Sequence, residues 1–276
     1  MRLEFREDTH SYYDPEQPDK KWISVTTLTN KFCEPFDAIK VAEKVRTKKK
    51  SKWYGMSVDE IVQAWNNENK RSTDLGTWYH NQRENDINGC QTLTVGGNQL
   101  PIYRSIYNDG VKVSPEQTLV EGVYPEHFVY LNSCGICGQS DLVTICNDAV
   151  DILDYKSCKK IDTESVTVAK GRKKKMLAPV QHLDDCNFNH YALQLSFYMY
   201  MILKHNPIYK AGKMMLQHVM FELDGEDKYG YPIVHLENGE PIVKDVVRYD
   251  VPYLKNEVEN IIKYLQLNPQ LYDKTF

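Results

Sequence analysis

The sequence predicts an α/β fold, with a central mixed β-sheet flanked by helices and with an N-terminal hairpin and helical elaboration. Segments rich in β-branched residues alternate with segments of helical apolar spacing. Hydrophobic residues make up 41% of the 276 residues, which is enough for a substantial core. No internal repeat or low-complexity linker divides the chain. We expect one continuous domain, with residues 1–71 as the elaboration and residues 72–276 as the core.

The N-terminal part is predicted to form a hairpin followed by helices. The segments LEF and HSYY precede a turn at DPEQPDK and then the β-branched run WISVTTLT, a pattern typical of strands. From Pro35 to about Asn69, apolar residues recur at helical spacing. A further helix is predicted from Thr73 to Asn88, with Ser72 or Thr73 as its N-cap.

The middle of the chain predicts three successive strands, TLVEGVYPEHFVYL, GICGQSDLVTIC and AVDILDYKS. The last two are joined by Asn147-Asp148, a pair typical of tight hairpin turns. The apolar segment FNHYALQLSFYMYMILKHN then predicts a buried helix that ends before Pro207. KMMLQHVMFEL and PIVKDVVRYDV follow as strands, and VPYLKNEVENIIKYLQL closes the chain as an amphipathic helix.

Charged residues within these strands are the main functional signal. Alternation places Asp154 and Lys156 on one face of an otherwise apolar strand, where burial of either charge alone would be costly. For an isolated D-x-K, a simple ion pair between them is the better explanation, because the tripeptide is common by chance. However, Asp141 lies thirteen residues before Asp154, so a tight turn would bring the two carboxylates together on neighbouring strands.

Two adjacent carboxylates repel each other, and a bound divalent cation such as Mg²⁺ or Mn²⁺ ordinarily offsets this repulsion. The strand before Asp141 carries Glu121, which is predicted as a further metal ligand or a supporting residue. A surface glutamate remains an equal explanation for it.

Four motifs occur in order along residues 72 to 205: G-T-x-x-H at Gly76–His80, G-x-x-D ending at Asp141, D-x-K at Asp154–Lys156, and Q-x-x-x-Y at Gln194–Tyr198. Each is weak alone, but the ordered set is fairly specific. On the basis of these four ordered motifs, the chain resembles the PD-(D/E)XK nuclease superfamily, and more closely its RecB-like exonuclease branch. The resemblance implies a restriction-endonuclease-like core.

The resemblance also implies roles for individual residues. Asp141 and Asp154 would hold the metal, with His80 as a further ligand. Lys156 would position the attacking water or stabilise charge on the phosphate. Glu84, one turn beyond His80, would orient the imidazole or contact a metal-bound water.

The last motif implies that Gln194 and Tyr198 reach the substrate backbone or support the lysine. A tyrosine in so apolar a helix is also explained by core packing. Some RecB-like nucleases carry an iron–sulfur cluster with three cysteines after this helix. No cysteine follows Cys186, so no such cluster is expected here.

A local cluster of basic residues favours nucleic acid as the partner, whereas the net charge does not. The net charge is −4, which argues against a protein that coats nucleic acid, yet KGRKKK follows the D-x-K strand in a predicted loop. Contact with the DNA backbone is predicted for its basic residues, although a solvated loop is the plainer explanation of any lysine cluster. These residues are Lys170, Arg172, Lys173, Lys174 and Lys175.

Together these features predict a Mg²⁺- or Mn²⁺-dependent DNA nuclease, most simply an exonuclease of replication, recombination or repair. A structure-specific endonuclease or resolvase with the same site, or a nucleic-acid-binding module without catalysis, are the alternatives. The seven cysteines are an odd number, and neither a secretory signal nor a membrane-spanning run occurs in the sequence. We therefore expect a cytoplasmic protein with reduced thiols and no membrane partner. The oligomeric state is left open.

Overall fold

The structure of the protein, a computed structural model, describes residues 2–6, 9, 11–167 and 171–273. Its helices are α1 (Val25–Asn30), α2 (Ala38–Arg46), α3 (Val58–Asn88), α4 (Asn187–His205) and α5 (Lys255–Leu267). Its strands are β1 (Glu4–Arg6), β2 (Ser11–Tyr13), β3 (Ile23–Ser24), β4 (Thr92–Val95), β5 (Asn98–Pro101), β6 (Ile106–Asn108), β7 (Val111–Val113), β8 (Gly122–Leu131), β9 (Ile136–Cys146), β10 (Ala149–Lys156), β11 (Lys210–Phe221), β12 (Leu223–Glu226), β13 (Pro232–Val234), β14 (Leu236–Glu237), β15 (Glu240–Pro241) and β16 (Val243–Asp250).

A six-stranded mixed sheet forms the centre of the fold, with the order β16-β11-β10-β9-β3 and β8 also paired to β9. The neighbours β8/β9, β9/β10 and β11/β16 are antiparallel, whereas β10/β11 and β3/β9 are parallel. The parallel pair β10/β11 requires a crossover connection, and α4 lies within it. The α/β class and the mixed sheet are therefore as predicted.

Helix α4 packs between the sheet and the helices α1 and α5. Its residues from Leu195 to Ile202 are all buried, as expected for a helix that is apolar on every side. Together with apolar residues of β8, β9 and β10 it forms the largest hydrophobic cluster of the molecule. Neither α4 nor any other helix in the described ranges is long and apolar enough to cross a membrane.

The N-terminal hairpin is shorter than predicted. β1 pairs with β2, with Phe5 opposite Tyr12, but the run WISVTTLT contributes only the short β3 before it turns into α1. The prediction of a strand there is wrong because Ser24 acts as an N-cap: its Oγ accepts a hydrogen bond from the Thr27 backbone N–H at 3.1 Å. Val25 and Leu28, three residues apart, then bury one helical face.

Helix α3 is continuous over 31 residues, starting at a capping box formed by Ser57 and Glu60. The predicted helix start at Ser72 or Thr73 is wrong, and the predicted boundary between residues 71 and 72 falls inside α3. The sequence from Asn66 to Asp74 is polar and offers no apolar stripe. Ion pairs one turn apart, Lys70 with Asp74 and Arg71 with Glu68, stabilise this stretch instead.

Candidate metal centre

Asp141 and Asp154 lie where strands β9 and β10 separate. The two strands pair up to Leu153 opposite Leu142, and the next position on each strand is an aspartate. The Tyr155 backbone N–H donates to Asp141 Oδ2 at 2.7 Å instead of continuing the ladder. The two aspartates thus occupy corresponding positions at the splayed end of the hairpin, as the spacing predicts.

A third carboxylate joins them from β8, and the sequence analysis missed it. β8 and β9 pair with His127 opposite Ser140, which puts Glu126 level with Asp141. Glu126 has a left-handed backbone, with φ of 47°. A glutamate rarely adopts this conformation, at a cost of about 1–3 kcal/mol, and such strain is commonly found at functional sites.

We call Glu126, Asp141 and Asp154 the acidic row. Glu121 does not belong to it, which corrects the predicted ligand set. Its carboxylate accepts a hydrogen bond from the Asn147 N–H at 2.7 Å, in the turn that follows β9. That turn is roughly 20 Å along the strand from Asp141, at about 3.3 Å per residue. Counting register back from the turn between β8 and β9 would have selected Glu126.

His80 faces the acidic row from α3. Its Nδ1 lies 3.6 Å from Glu126 Oε1 and 3.6 Å from Asp141 Oδ2, while its Nε2 lies 3.2 Å from the Tyr155 carbonyl oxygen. Gly76 permits this approach, because a Cβ there would lie 3.1 Å from Ser157 Oγ at the end of β10. The glycine of the first motif therefore allows the close approach that places the histidine of the same motif beside the acidic row.

The protonation of His80 depends on these carboxylates. Burial alone would lower the pKa of the imidazole, but Asp141 and Glu126 outweigh burial and raise the pKa to about 9. At neutral pH the metal-free cluster therefore contains an imidazolium. Burial also raises the pKa of Asp141.

Asp154 and Lys156 form the buried ion pair of the cluster. Lys156 Nζ lies 2.5 Å from Asp154 Oδ2, and the Asp154 side chain is only 1% exposed. Burial raises the pKa of Asp154 to about 6 despite the lysine, and Asp154 raises the pKa of Lys156 against the effect of burial. Lys156 Nζ also lies 4.8 Å from the centre of the Tyr191 ring. Within the described ranges, Asp154 Oδ1 has no hydrogen-bond partner.

Gln194 and Tyr198 contact each other on α4, with Gln194 Nε2 donating to Tyr198 Oη at 3.2 Å. The Tyr198 ring lies against Gly138 of β9, where a Cβ would come within 2.7 Å of the ring. The glycine of the G-x-x-D motif thus makes room for the tyrosine of the last motif. Burial raises the pKa of Tyr198 well above its ordinary value, so it is a neutral phenol in the core near the acidic row.

Glu84 has a different partner from the predicted one. Ser105 Oγ donates to Glu84 Oε1 at 3.4 Å, and in the described ranges no hydrogen bond or ion pair joins Glu84 to His80. One helical turn separates the two side chains along α3, but the glutamate is directed to the chain that follows the helix.

The basic segment of residues 171–175, which we call the basic loop, is largely compensated by acids. Lys170 lies outside the described residues, and Arg172 is exposed. The ion pairs of the three lysines are Lys173 with Glu164 (2.7 Å), Lys174 with Asp185 (2.7 Å) and Lys175 with Asp184 (2.6 Å). The loop therefore presents less free positive charge than its sequence suggests.

A cavity of about 380 Å³ opens beside the acidic row, with Glu126 in its wall. His127 and Arg104 also line it, and Tyr103 and Tyr124 stack at one side with ring centres 4.8 Å apart. His127 is buried, which lowers its pKa to about 3, and its Nε2 has no hydrogen-bond partner in the described ranges. This volume falls within the usual range of small-ligand sites.

The donor set fits a divalent cation. One donor atom each from His80, Glu126 and Asp141 lies within 4.8 Å of the others. Asp154, just beyond the last paired position of β10, has an Oδ1 without a hydrogen-bond partner among the described residues. Carboxylate oxygens are typical of Mg²⁺ and Mn²⁺ sites. Burial raises the pKa values of the Asp141 and Asp154 carboxyl groups, and neighbouring carboxylates raise the pKa of His80 against the effect of burial, so a bound cation would stabilise the ionised carboxylates.

Scans of the chain against protein-family models, curated proteins and solved structures find no match. The geometry of the cluster therefore carries the functional argument.

Proposed function

We propose that this protein is a divalent-metal-dependent nuclease that hydrolyses phosphodiester bonds in DNA, acting from a free end. The observation that carries the proposal is the acidic row, with His80 and Lys156 beside it. Three carboxylates held together in a partly buried cleft destabilise the folded protein, and the simplest explanation for their presence is that they bind a cation. His80, Asp141, Asp154 and Lys156 lie in the ordered motifs by which the chain resembles the PD-(D/E)XK superfamily, whereas Glu126 lies outside them.

Mg²⁺ or Mn²⁺ would be held by Asp141, Asp154 and Glu126, with His80 as a nitrogen donor. When bound, such an ion supplies positive charge against the phosphodiester and lowers the pKa of a water molecule. His80 is oriented for this by the Tyr155 carbonyl, which occupies Nε2 and leaves Nδ1 directed at the carboxylates. Glu126 has a left-handed backbone, and its Oε1 lies 3.6 Å from His80 Nδ1.

Lys156 supplies the positive charge of the protein itself. Its ammonium group is held between the Asp154 carboxylate and the Tyr191 ring, at the edge of the acidic row. From there it stabilises negative charge that develops on the phosphate, or orients the attacking water. A preorganised charge of this kind acts on the transition state more than on the bound substrate.

The cavity beside Glu126 suits an unpaired nucleotide next to the scissile bond. Its walls are mainly apolar, with two stacked tyrosine rings at one side, and it adjoins the acidic row at Glu126. A paired base cannot enter such a cavity, because it stays within the duplex stack. This supports a single-stranded or frayed end as the substrate.

The test is digestion of end-labelled linear DNA and closed circular DNA, each single- and double-stranded, with Mg²⁺, Mn²⁺ or chelator. We expect metal-dependent loss of linear DNA, stepwise from an end, and no cleavage of the circles. Cleavage of a single-stranded circle would replace the exonuclease with an endonuclease or resolvase. Tight DNA binding without cleavage in either metal would overturn the proposal in favour of a binding module.

A further inference from the structure

A second cluster of donor atoms lies away from the acidic row. Cys33 follows α1, Asp185 ends the segment that contains the basic loop, and His190 lies in the first turn of α4. Cys33 Sγ is 3.2 Å from His190 Nε2, and that nitrogen is 2.7 Å from Asp185 Oδ1. All three donor atoms lie within 4.8 Å of one another.

These distances suit a tetrahedral zinc site after a small expansion. With Zn–S near 2.3 Å and Zn–N or Zn–O near 2.0 Å, tetrahedral ligands are separated by roughly 3.3–3.6 Å. The metal-free donors are slightly closer than this, because hydrogen bonds hold them in place of a metal. A thiolate and a carboxylate together neutralise a divalent ion, and the soft sulfur favours zinc over Mg²⁺.

The surroundings keep the three residues in place. The Leu177 N–H donates to the Phe32 carbonyl at 2.7 Å, which holds the loop against the residue before Cys33. Lys174 Nζ lies 2.7 Å from Asp185 Oδ2 and leaves Oδ1 directed at His190. Supporting contacts of this kind orient the ligands of metal sites.

A catalytic cysteine–histidine–aspartate relay does not fit this arrangement. In such a relay the thiol and the carboxylate contact opposite nitrogens of the imidazole, whereas here both approach Nε2. Burial and the Asp185 carboxylate also raise the pKa of the Cys33 thiol to about 12, so without a cation it is a poor nucleophile.

We propose that Cys33, Asp185 and His190 bind one zinc ion, with a fourth position for water. The ion links the chain just after α1, the segment just before α4 and the first turn of α4, which carries Gln194 and Tyr198. This site is structural and does not depend on the nuclease activity proposed above.

The test is metal analysis of the purified full chain, followed by replacement with Co²⁺. We expect about one zinc per chain and, with cobalt, a thiolate-to-metal charge-transfer band in the near ultraviolet. This band also distinguishes the site from the acidic row, which contains no thiol. Cys33→Ser and, separately, His190→Asn should abolish the band or weaken cobalt binding at least about 100-fold, whereas Cys90→Ser, at an exposed cysteine outside the cluster, should change neither.

Absence of the band in the native protein would overturn the proposal, and so would a band that survives Cys33→Ser. Retained far-ultraviolet circular dichroism in the metal-free variants excludes misfolding as the cause of lost binding. His190→Asn keeps the thiol, so loss of the band in this variant reports the ligand set rather than the sulfur alone.

Discussion

The acidic row and the basic loop carry opposite charges and are built in opposite ways. In the row, Asp141 and Asp154 are buried and Glu126 is half-buried. Strand register sets their positions, and adjacent strands bring like charges together; among the described residues, His80 and Lys156 are the cationic groups beside them. The loop is mostly exposed, and each of its lysines from Lys173 to Lys175 already has an acidic partner. Uncompensated charge in a buried place indicates function more strongly than abundant charge on a surface.

The comparison predicts that the largest effect comes from the acidic row. Asp141→Asn should reduce metal-dependent cleavage at least about 1,000-fold, or roughly 4 kcal/mol of transition-state stabilisation. Stability at pH 7 should stay within about 1 kcal/mol, because the amide oxygen can still accept the Tyr155 N–H and a buried charge is removed. Cleavage assays and urea unfolding measure the two effects, and cleavage at the parental rate would exclude Asp141 from the site.

The metal-free protein should lose stability as the pH rises from about 6.5 to about 9. The pKa of His80 is raised in the folded state to about 9, so its contribution is complete below the unfolded value near 6.5 and is lost as the pH passes the folded value. The loss should be on the order of 3 kcal/mol, at about 1.4 kcal/mol for each pH unit between the two pKa values.

Urea unfolding in chelator at pH 6, 7.5 and 9 measures this loss. In His80→Asn the decrease should be absent or much smaller, because the imidazole whose pKa is raised to about 9 is removed. Equal pH profiles for the parent and the variant would show that His80 does not pair with the acidic row.

Glu126 and Glu121 offer a matched pair, since Glu126 lies within β8 and Glu121 immediately precedes that strand. Glu126→Gln should weaken Mn²⁺ binding about 10- to 100-fold, whereas Glu121→Gln should change it less than about twofold, because Glu121 caps a turn far from the row. Isothermal titration of both variants decides the point. A larger effect at Glu121 would restore the ligand set predicted from sequence and reject Glu126.

The smallest effect is expected in the basic loop. Three free lysines would contribute about 2.7 to the slope of log binding constant against log salt concentration, at about 0.9 for each phosphate neutralised. Because each lysine is already paired, replacing Lys173, Lys174 and Lys175 together by glutamine should change the slope by less than about 1. DNA binding at several salt concentrations measures the slope, and a change near 2.7 would show that the lysines exchange their acidic partners for phosphates.

Sequence patterns predicted those parts of the site in which a short-range rule fixes the geometry. Asn147-Asp148 adopts a left-handed backbone at both residues, and such a turn sets the register that brings Asp141 to Asp154. Alternation placed Lys156 beside Asp154, and apolar content predicted the buried helix α4.

The remaining features depend on longer-range contacts. Glu126 enters the row through the pairing of β8 with β9 and through an unusual backbone conformation that local propensity disfavours. The continuity of α3 depends on charge pairs rather than on an apolar stripe. The acidic partners of the basic loop, such as Glu164 and Asp185, lie outside the KGRKKK run. The sequence of the run by itself therefore predicts more unpaired positive charge than the structure contains.

The central claim is that carboxylates from β8, β9 and β10 hold one divalent cation together with His80. Anomalous diffraction from a crystal soaked in Mn²⁺ tests it most directly. We predict a manganese peak within about 2.0–2.4 Å of carboxylate oxygens of Asp141 and Asp154, with Glu126 and His80 around the same ion. A difference map without a peak there, or a structure in which these side chains point away from one another, would contradict the claim.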